Sequence, residues 1–134
     1  MNYTYRDTAG DLDLVTRRIL IADDARDCAA LSEFLRLRGH LVRTVDRGSD
    51  ALDVAPLLRP HVVFLDLHKP ELDGWKVCEQ LRKNEHTEQA AIIALTTNAP
   101  GEYASTRRNA TFDAYLLKPV EFDLADRLVQ CSLQ

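Results

Sequence analysis

Five short apolar runs alternate along this chain with longer stretches whose apolar residues recur at helical spacing. The runs at residues 19–22, 62–65 and 91–95 contain only apolar side chains, which is typical of strands buried on both faces of a sheet. The runs at residues 40–45 and 113–117 are less uniform and predict two further strands. Because strands that alternate with helices assemble into parallel sheets, the pattern predicts a doubly wound, five-stranded α/β fold with helices on both faces.

The stretches between these runs predict amphipathic helices, because their apolar residues recur every three or four positions. These residues are Cys28, Leu31 and Leu35; Leu52, Ala55 and Leu58; Val77, Cys78 and Leu81; and Phe122, Ala125, Leu128 and Val129. One more helix is expected after Pro100, where the chain is least apolar. Gly39 indicates a helix end, Gly48 a turn after the second strand, and Pro60 a break before the third.

The composition is that of one ordinary soluble domain. The 134 residues carry 17 basic and 21 acidic side chains, and a net charge of −4 weighs against a dedicated nucleic-acid surface. No apolar run approaches the roughly 18 residues of a membrane helix, and residues 1–18 lack a signal peptide's apolar stretch. We therefore expect a cytoplasmic protein with a mobile extension at residues 1–16 and a single domain at residues 17–134.

Neither the cysteines nor the histidines predict a structural or metal framework. Cys28, Cys78 and Cys131 are odd in number and far apart, which favours reduced thiols over disulfides or a zinc knuckle. The four histidines are scattered, and His68 alone lies near a group of acidic residues. A zinc site is therefore not indicated.

Polar side chains that can bind ligands or take part in catalysis lie at the ends of four of the predicted strands. The first strand ends in Asp23 and Asp24, the third in Asp66, the fourth in Thr96 and Thr97, and the fifth in Lys118 and Pro119. Ligands of open α/β sheets bind at the carboxyl ends of strands, so these residues are expected to converge. Either acid of the pair could instead cap the next helix, and a lysine could pair with a buried acid for structural reasons alone. Three acids against one lysine leave excess negative charge, however, and carboxylate ligands favour Mg²⁺.

The sequence FLDLHKPELDG at residues 64–74 resembles the phosphoacceptor loop of response-regulator receiver domains in two-component signalling. The resemblance covers residues 17–131 and rests on an ordered set: an acid pair, an aspartate, a threonine and a Lys-Pro. It implies the flavodoxin-like (βα)5 receiver fold of chemotaxis-regulator-like phosphoacceptor domains. It also implies that Asp66 is phosphorylated and that Mg²⁺ is held by Asp23, Asp24, Asp66 and the backbone carbonyl of His68.

The resemblance assigns further roles around the acceptor. Lys118 would contact one phosphoryl oxygen and Thr96 another, and Tyr115 matches an aromatic switch position. His68 and Asn98 occupy positions that influence the lifetime of the acyl phosphate. Such a domain is not an enzyme acting on a separate substrate, although it promotes its own phosphorylation and dephosphorylation.

The implied partner is a histidine kinase or a histidine phosphotransfer protein. Output would pass through the surface of the fourth helix, fifth strand and fifth helix, near residues 100–131. No residues remain after about residue 131 for an output domain, so we expect a stand-alone regulator or a receiver taken from a larger protein such as a hybrid kinase. The downstream target is unknown, direct nucleic-acid or membrane binding is not expected, and a weak homodimer is left open.

Two departures from the family pattern stand near the site. Lys69 replaces an apolar residue before the loop proline, and Thr97 replaces a small one, although neither removes a required group. The main alternative is a pseudo-receiver that acts as an interaction module without phosphorylation. A haloacid-dehalogenase-type hydrolase would carry a second aspartate where this chain has His68, and the glycine-rich loops of nucleotide-binding folds are absent from the sequence.

Overall fold

The computed structural model describes residues 4–6, 13–68, 73–97 and 112–131. The strands are β1 (Thr4–Arg6), β2 (Asp13–Val15), β3 (Arg18–Ala22), β4 (Leu41–Val45), β5 (Val62–Asp66), β6 (Ala91–Thr96) and β7 (Ala114–Leu117). The helices are α1 (Ala25–Leu37), α2 (Gly48–Leu58), α3 (Gly74–Arg82) and α4 (Phe122–Cys131). The helix expected after Pro100 falls in residues 98–111, which lie outside the described residues.

Five strands form one parallel sheet in the order β4-β3-β5-β6-β7. The predicted doubly wound α/β fold is therefore confirmed. All five residues of the central strand β5 are buried, as its unbroken apolar run predicted. β3 and β4 therefore lie on one side of β5, and β6 and β7 lie on the other. After β4 the chain crosses back over β3 to form β5, so the direction in which strands are added reverses between β3 and β5. Ligands of such sheets bind in the crevice at this point.

Two apolar cores cover the two faces of the sheet, because alternate strand residues point to opposite sides. On one face α1 and α4 pack over residues including Ile19, Ile21, Phe64 and Leu95. On the other face α2 and α3 pack over residues including Leu20, Val63, Leu65 and Ile92. Both layers hold the sheet rigid, so its carboxyl edge is a fixed platform for polar side chains. No helix among the described residues is long and apolar enough to cross a bilayer.

The ends of the first two helices match the turn residues only in part. Gly39 has φ = +95° and its N–H binds the carbonyl of Arg36, so it ends α1 as predicted. Gly48 was predicted to form a turn, but it is the first residue of α2. Arg59 takes the left-handed conformation at the end of that helix, directly before Pro60. Gly39 thus ends a helix in a positive-φ conformation, as its position in the sequence indicated, whereas Gly48 begins a helix and does not form the predicted turn.

The amino-terminal strands form a separate two-stranded antiparallel sheet. Thr4 pairs with Val15 and Arg6 with Asp13, and neither strand joins the five-stranded sheet. The sequence pattern did not indicate this hairpin. That residues 1–16 form a mobile extension remains a prediction.

Two histidines accept hydrogen bonds from backbone amides at the amino edge of the sheet. His40 Nδ1 accepts a hydrogen bond from the backbone N–H of Arg17 at 3.1 Å, and His61 Nδ1 accepts one from Arg18 at 2.9 Å. Burial, together with the nearby positive charges of Arg18 and Arg17, lowers the pKa of His61 to about 4. The imidazole of His61 is therefore neutral at pH 7 and acts as a structural acceptor. None of the three cysteines forms a disulfide.

Candidate functional site

Two aspartates are buried at the carboxyl edge of the sheet. Asp23 directly follows β3 and is 1% exposed, and Asp66 is the last residue of β5 and is 3% exposed. The Asp23 Oδ1 atom accepts a hydrogen bond from the N–H of Asp24 at 2.7 Å, and the Asp66 Oδ1 atom accepts one from the N–H of His68 at 2.7 Å. Each carboxylate is therefore oriented by a backbone amide, which leaves its Oδ2 atom to face the site.

The Lys118 ammonium joins these two carboxylates. Its Nζ atom lies 2.7 Å from Asp23 Oδ2, donates to Asp66 Oδ2, and lies 2.9 Å from Asp27 Oδ2. Lys118 follows the edge strand β7, and its backbone N–H binds the carbonyl of Thr96 on β6. A residue from the edge of the sheet is thereby held over the central strands.

The acidic group is larger than the sequence predicted. Asp24 caps α1, because its Oδ1 atom accepts a hydrogen bond from the N–H of Asp27 at 2.9 Å, so the capping alternative holds for Asp24. Asp23, Asp24 and Asp27 each place a carboxylate oxygen within 4.8 Å of the others. The sequence analysis missed Asp27. Its position three residues after Asp24, within the first turn of the helix, was the signal that could have found it.

The charges of the site shift the ionisation of its members. Burial raises the pKa of Asp23 to about 6, and the hydrogen bond from Lys118 only partly offsets this effect. Burial alone would lower the pKa of Lys118, but its bonds with Asp23, Asp66 and Asp27 outweigh burial and raise that pKa above its ordinary range. Lys118 is therefore firmly cationic at neutral pH.

The donor atoms fit a hard divalent cation. Among the described residues, the potential metal ligands grouped here, Asp23, Asp24 and Asp27, are all carboxylates, and carboxylate oxygens are what Mg²⁺ prefers. Three carboxylates, those of Asp23, Asp27 and Asp66, bind the one Lys118 ammonium, and the Asp24 carboxylate lies within 4.8 Å of those of Asp23 and Asp27. The site therefore carries a net negative charge that a divalent cation would compensate.

The predicted threonine and tyrosine lie on the opposite side of the site from α1. Thr96 is 1% exposed, and its Oγ1 atom is 3.2 Å from His68 Nε2. Tyr115 is half-buried against the cluster of Leu67, Trp75, Ala94 and Phe112. Ala94 pairs in register with Tyr115 and lies two residues before Thr96, so the two side chains share one face of the sheet.

Two of the predicted positions lie outside the described residues, and three others lie at strand ends. Lys69 and Asn98 are outside the described ranges, and Thr97 is exposed directly after β6. Asp66 and Thr96 were predicted at the ends of their strands, and each is the last residue of one. The strand hydrogen bonds therefore fix the backbone of both residues.

Gly74 allows α3 to begin against the backbone of Asp66 at the end of β5. A Cβ atom at this position would lie 2.5 Å from the carbonyl oxygen of Asp66 and 3.0 Å from Cδ2 of Leu67. The Gly74→Ala substitution is therefore expected to lower the free energy of unfolding by about 1–3 kcal/mol, as overpacking of a close contact does. Urea unfolding measures this loss, and amide NMR spectra should show displaced signals at residues 66–68.

Gly39→Ala is the matched comparison for Gly74→Ala. Nothing lies within 4 Å of a Cβ atom at Gly39, but φ = +95° strains any other residue there. This variant should lose roughly 1 kcal/mol through backbone strain and leave the amide signals of residues 66–68 in place. Unchanged site signals in Gly74→Ala would contradict the proposed contact.

The sequence is similar to known signalling proteins over most of its length. The family model of the response regulator receiver domain matches residues 19–130. The transcriptional regulatory protein AfsQ1 of Streptomyces coelicolor is 32% identical over 116 residues, which cover 87% of this chain and 50% of that protein. The regulatory protein AtoC of Escherichia coli is 34% identical over 119 residues, which cover 87% of this chain and 25% of that protein. The chain thus spans half or less of the length of these two relatives.

Solved structures show the same architecture. The chemotaxis response regulator CheY4 of Vibrio cholerae has a TM-score of 0.78 at 23% identity, covering 88% of this chain and 99% of that one, which shows the shared fold. The receiver domain of a sensor histidine kinase from Pseudomonas aeruginosa has a TM-score of 0.75 at 29% identity, covering 86% of this chain and 95% of that one. That receiver was solved with a magnesium ion coordinated in its active-site cleft.

Proposed function

Because this chain belongs to the response regulator receiver domain family of two-component signalling, we propose that Asp66 accepts a phosphoryl group from a phosphohistidine of a partner protein. The observation that supports this role best is the environment of Asp66. It is buried at the end of the central strand, one carboxylate oxygen is held by the N–H of His68, and the other is bound by Lys118. The partner is a histidine kinase or a histidine phosphotransfer protein.

The residues of the site suit the transfer. A carboxylate oxygen of Asp66 attacks the phosphorus, an acyl phosphate bond forms, and the bond from phosphorus to the imidazole nitrogen of the donor breaks. The His68 amide keeps the carboxylate from rotating, so its Oδ2 atom stays directed at the donor. Lys118 offsets the negative charge that gathers as two anionic groups approach each other.

Asp23, Asp24 and Asp66, with the backbone carbonyl of His68, would hold Mg²⁺ beside the acceptor. The bound cation would supply further neutralisation of the phosphoryl oxygens. A cavity of about 480 Å³ opens next to Asp23, Asp27 and Lys118, between α1 and the residues that follow β7. This space gives a donor access to the side of the site that Lys118 faces.

Phosphorylation would be read by the residues on the other side. A phosphoryl group on Asp66 adds negative charge and acceptor oxygens, for which the Thr96 hydroxyl is a donor. Movement of Thr96 would be followed by Tyr115 on the same face, and so by the output surface near residues 100–131. We retain residues 17–134 as the receiver unit, residues 1–16 as an extension, and His68 and Asn98 as positions that tune the acyl phosphate lifetime.

Intact-mass analysis tests the phosphoacceptor function directly. Incubation with acetyl phosphate and Mg²⁺ is expected to add one phosphoryl group per chain, and hydroxylamine should remove it because acyl phosphates are labile to that nucleophile. Chelation of Mg²⁺ before the incubation should suppress the addition, since the four clustered carboxylates then repel the anionic donor.

A folded protein that gains no phosphoryl group would contradict this function. The pseudo-receiver alternative would then be favoured, and Lys69 and Thr97 would be the first residues to replace with the family's usual side chains. Circular dichroism of the same sample shows whether the protein is folded, so a negative result is informative.

A further inference from the structure

Asp27 is a fourth acidic residue at this site, and the family resemblance assigns it no role. It is the third residue of α1, and its N–H is held by Asp24 Oδ1 at 2.9 Å, so its backbone position is fixed. Its side chain is 43% exposed and reaches Lys118 Nζ at 2.9 Å. A partly exposed carboxylate on a helix therefore contacts the lysine that serves the buried acceptor.

Lys118 divides its three N–H groups among three carboxylates. Asp23 and Asp66 lie on strand ends below it, and Asp27 lies on α1 at the side. The Lys118 side chain is 14% exposed, so water replaces little of this pairing. If one of the three carboxylates loses its charge, the Lys118 ammonium therefore pairs more strongly with the other two.

We propose that Asp27 is a positioning residue that tethers Lys118 to α1 and so draws its positive charge away from Asp23 and Asp66. These two are also residues that would hold the divalent cation. Lys118 and the cation compete for the same carboxylates, and the tether moderates that competition. This inference rests on the proposed function only for the identity of the cation site.

The tether predicts an effect on cation binding that acts through Lys118. In Asp27→Asn the ammonium should pair more fully with Asp23 and Asp66, and Mg²⁺ must then displace it. We expect the dissociation constant of Mg²⁺ to rise about threefold to fivefold, the size expected for one charge pair of this exposure. In a Lys118→Met background no ammonium can be redistributed, so the same substitution should raise the constant by a clearly smaller factor, that of the lost local charge alone.

Calorimetric titration of metal-free protein with MgCl₂ measures these constants for the wild type, both single variants and the double variant. Asp50→Asn is the matched control, because Asp50 is also an exposed third residue of a helix, here α2. Asp50→Asn removes one negative charge from the first turn of a helix, as Asp27→Asn does, and should leave the dissociation constant of Mg²⁺ unchanged. Circular dichroism verifies that each variant is folded.

A second measurement does not depend on the Lys118→Met variant being folded. In metal-free protein, the NMR signals of the Lys118 ε-methylene group should move in Asp27→Asn and stay in place in Asp50→Asn. Equal effects of Asp27→Asn with and without Lys118 would show that Asp27 acts as a local charge only, and would overturn the tether. An unmoved Lys118 signal would overturn it as well.

The wild-type titration and the phosphorylation assay separate this inference from the proposed function. If the wild type binds Mg²⁺ and is phosphorylated while Asp27→Asn behaves as the wild type does, the tether is wrong and the function stands. If the wild type binds Mg²⁺ and shows the coupling but accepts no phosphoryl group, the tether stands and the function is wrong. A wild type that binds no Mg²⁺ at millimolar concentration overturns both.

Discussion

Replacing Asp66 with asparagine is expected to abolish phosphoryl uptake from acetyl phosphate and to leave a folded protein. An amide cannot attack phosphorus to give an acyl phosphate, so no residual transfer to this residue is expected. The fold should tolerate the change, because the nearby charge of Asp66 disfavours ionisation of the buried Asp23, and the substitution removes that repulsion. Lys118 keeps two carboxylate partners, Asp23 and Asp27. Intact mass and urea unfolding report the two expectations separately.

Asp126→Asn is the control for Asp66→Asn. Asp126 is also buried, at 5% exposure, but it lies on α4 and binds Arg38 and His40 away from the site. This variant should lose stability, because its two partners lose a charged acceptor, and should still gain one phosphoryl group. A phosphoryl gain in Asp66→Asn equal to that of the wild type would place the acceptor on another residue and refute the assignment.

The sheet could be predicted from the sequence because burial on both faces leaves a simple pattern. The apolar runs at residues 19–22, 62–65 and 91–95 agree with β3, β5 and β6 to within one residue at each end. The extra residue at the carboxyl end of β5 is Asp66 and that of β6 is Thr96. A polar residue ends an apolar run in the sequence, but the strand hydrogen bonds continue through it. The sequence pattern therefore located both the ends of these strands and the polar residues that lie there.

Other features depend on contacts between residues that are distant in the sequence. The contact of Asp27 with Lys118 joins residues 91 positions apart, because that lysine reaches α1. Pro56 lies inside α2 although proline removes a helix donor, and helix packing on the sheet outweighs that local cost. His40 and His61 are scattered in the sequence, yet they bind the consecutive amides of Arg17 and Arg18 at the start of β3, because β4 and β5 flank that strand. Periodicity records none of these contacts.

Lys118→Met is expected to damage both the chemistry and the stability of the domain. Phosphorylation by acetyl phosphate should slow by about 100-fold or more, the usual cost of removing one group that stabilises transition-state charge. The free energy of unfolding without Mg²⁺ should fall by about 2–4 kcal/mol, because Asp23 and Asp66 are left buried without their counterion. Mass-detected phosphorylation time courses and urea unfolding measure the two losses.

Mg²⁺ distinguishes a charge effect of Lys118→Met from a packing effect. A divalent cation neutralises the same carboxylates that Lys118 neutralises, so millimolar Mg²⁺ should restore much of the lost stability in this variant. It should restore little of the phosphorylation rate, because the ammonium that faces the incoming phosphoryl oxygens is still missing. Lys76→Met, an exposed lysine on α3, should leave both quantities near the wild-type values. If Mg²⁺ stabilised Lys118→Met no more than it stabilised Lys76→Met, the lost stability would come from packing of the lysine side chain, and the ammonium would not be the counterion of this acidic group.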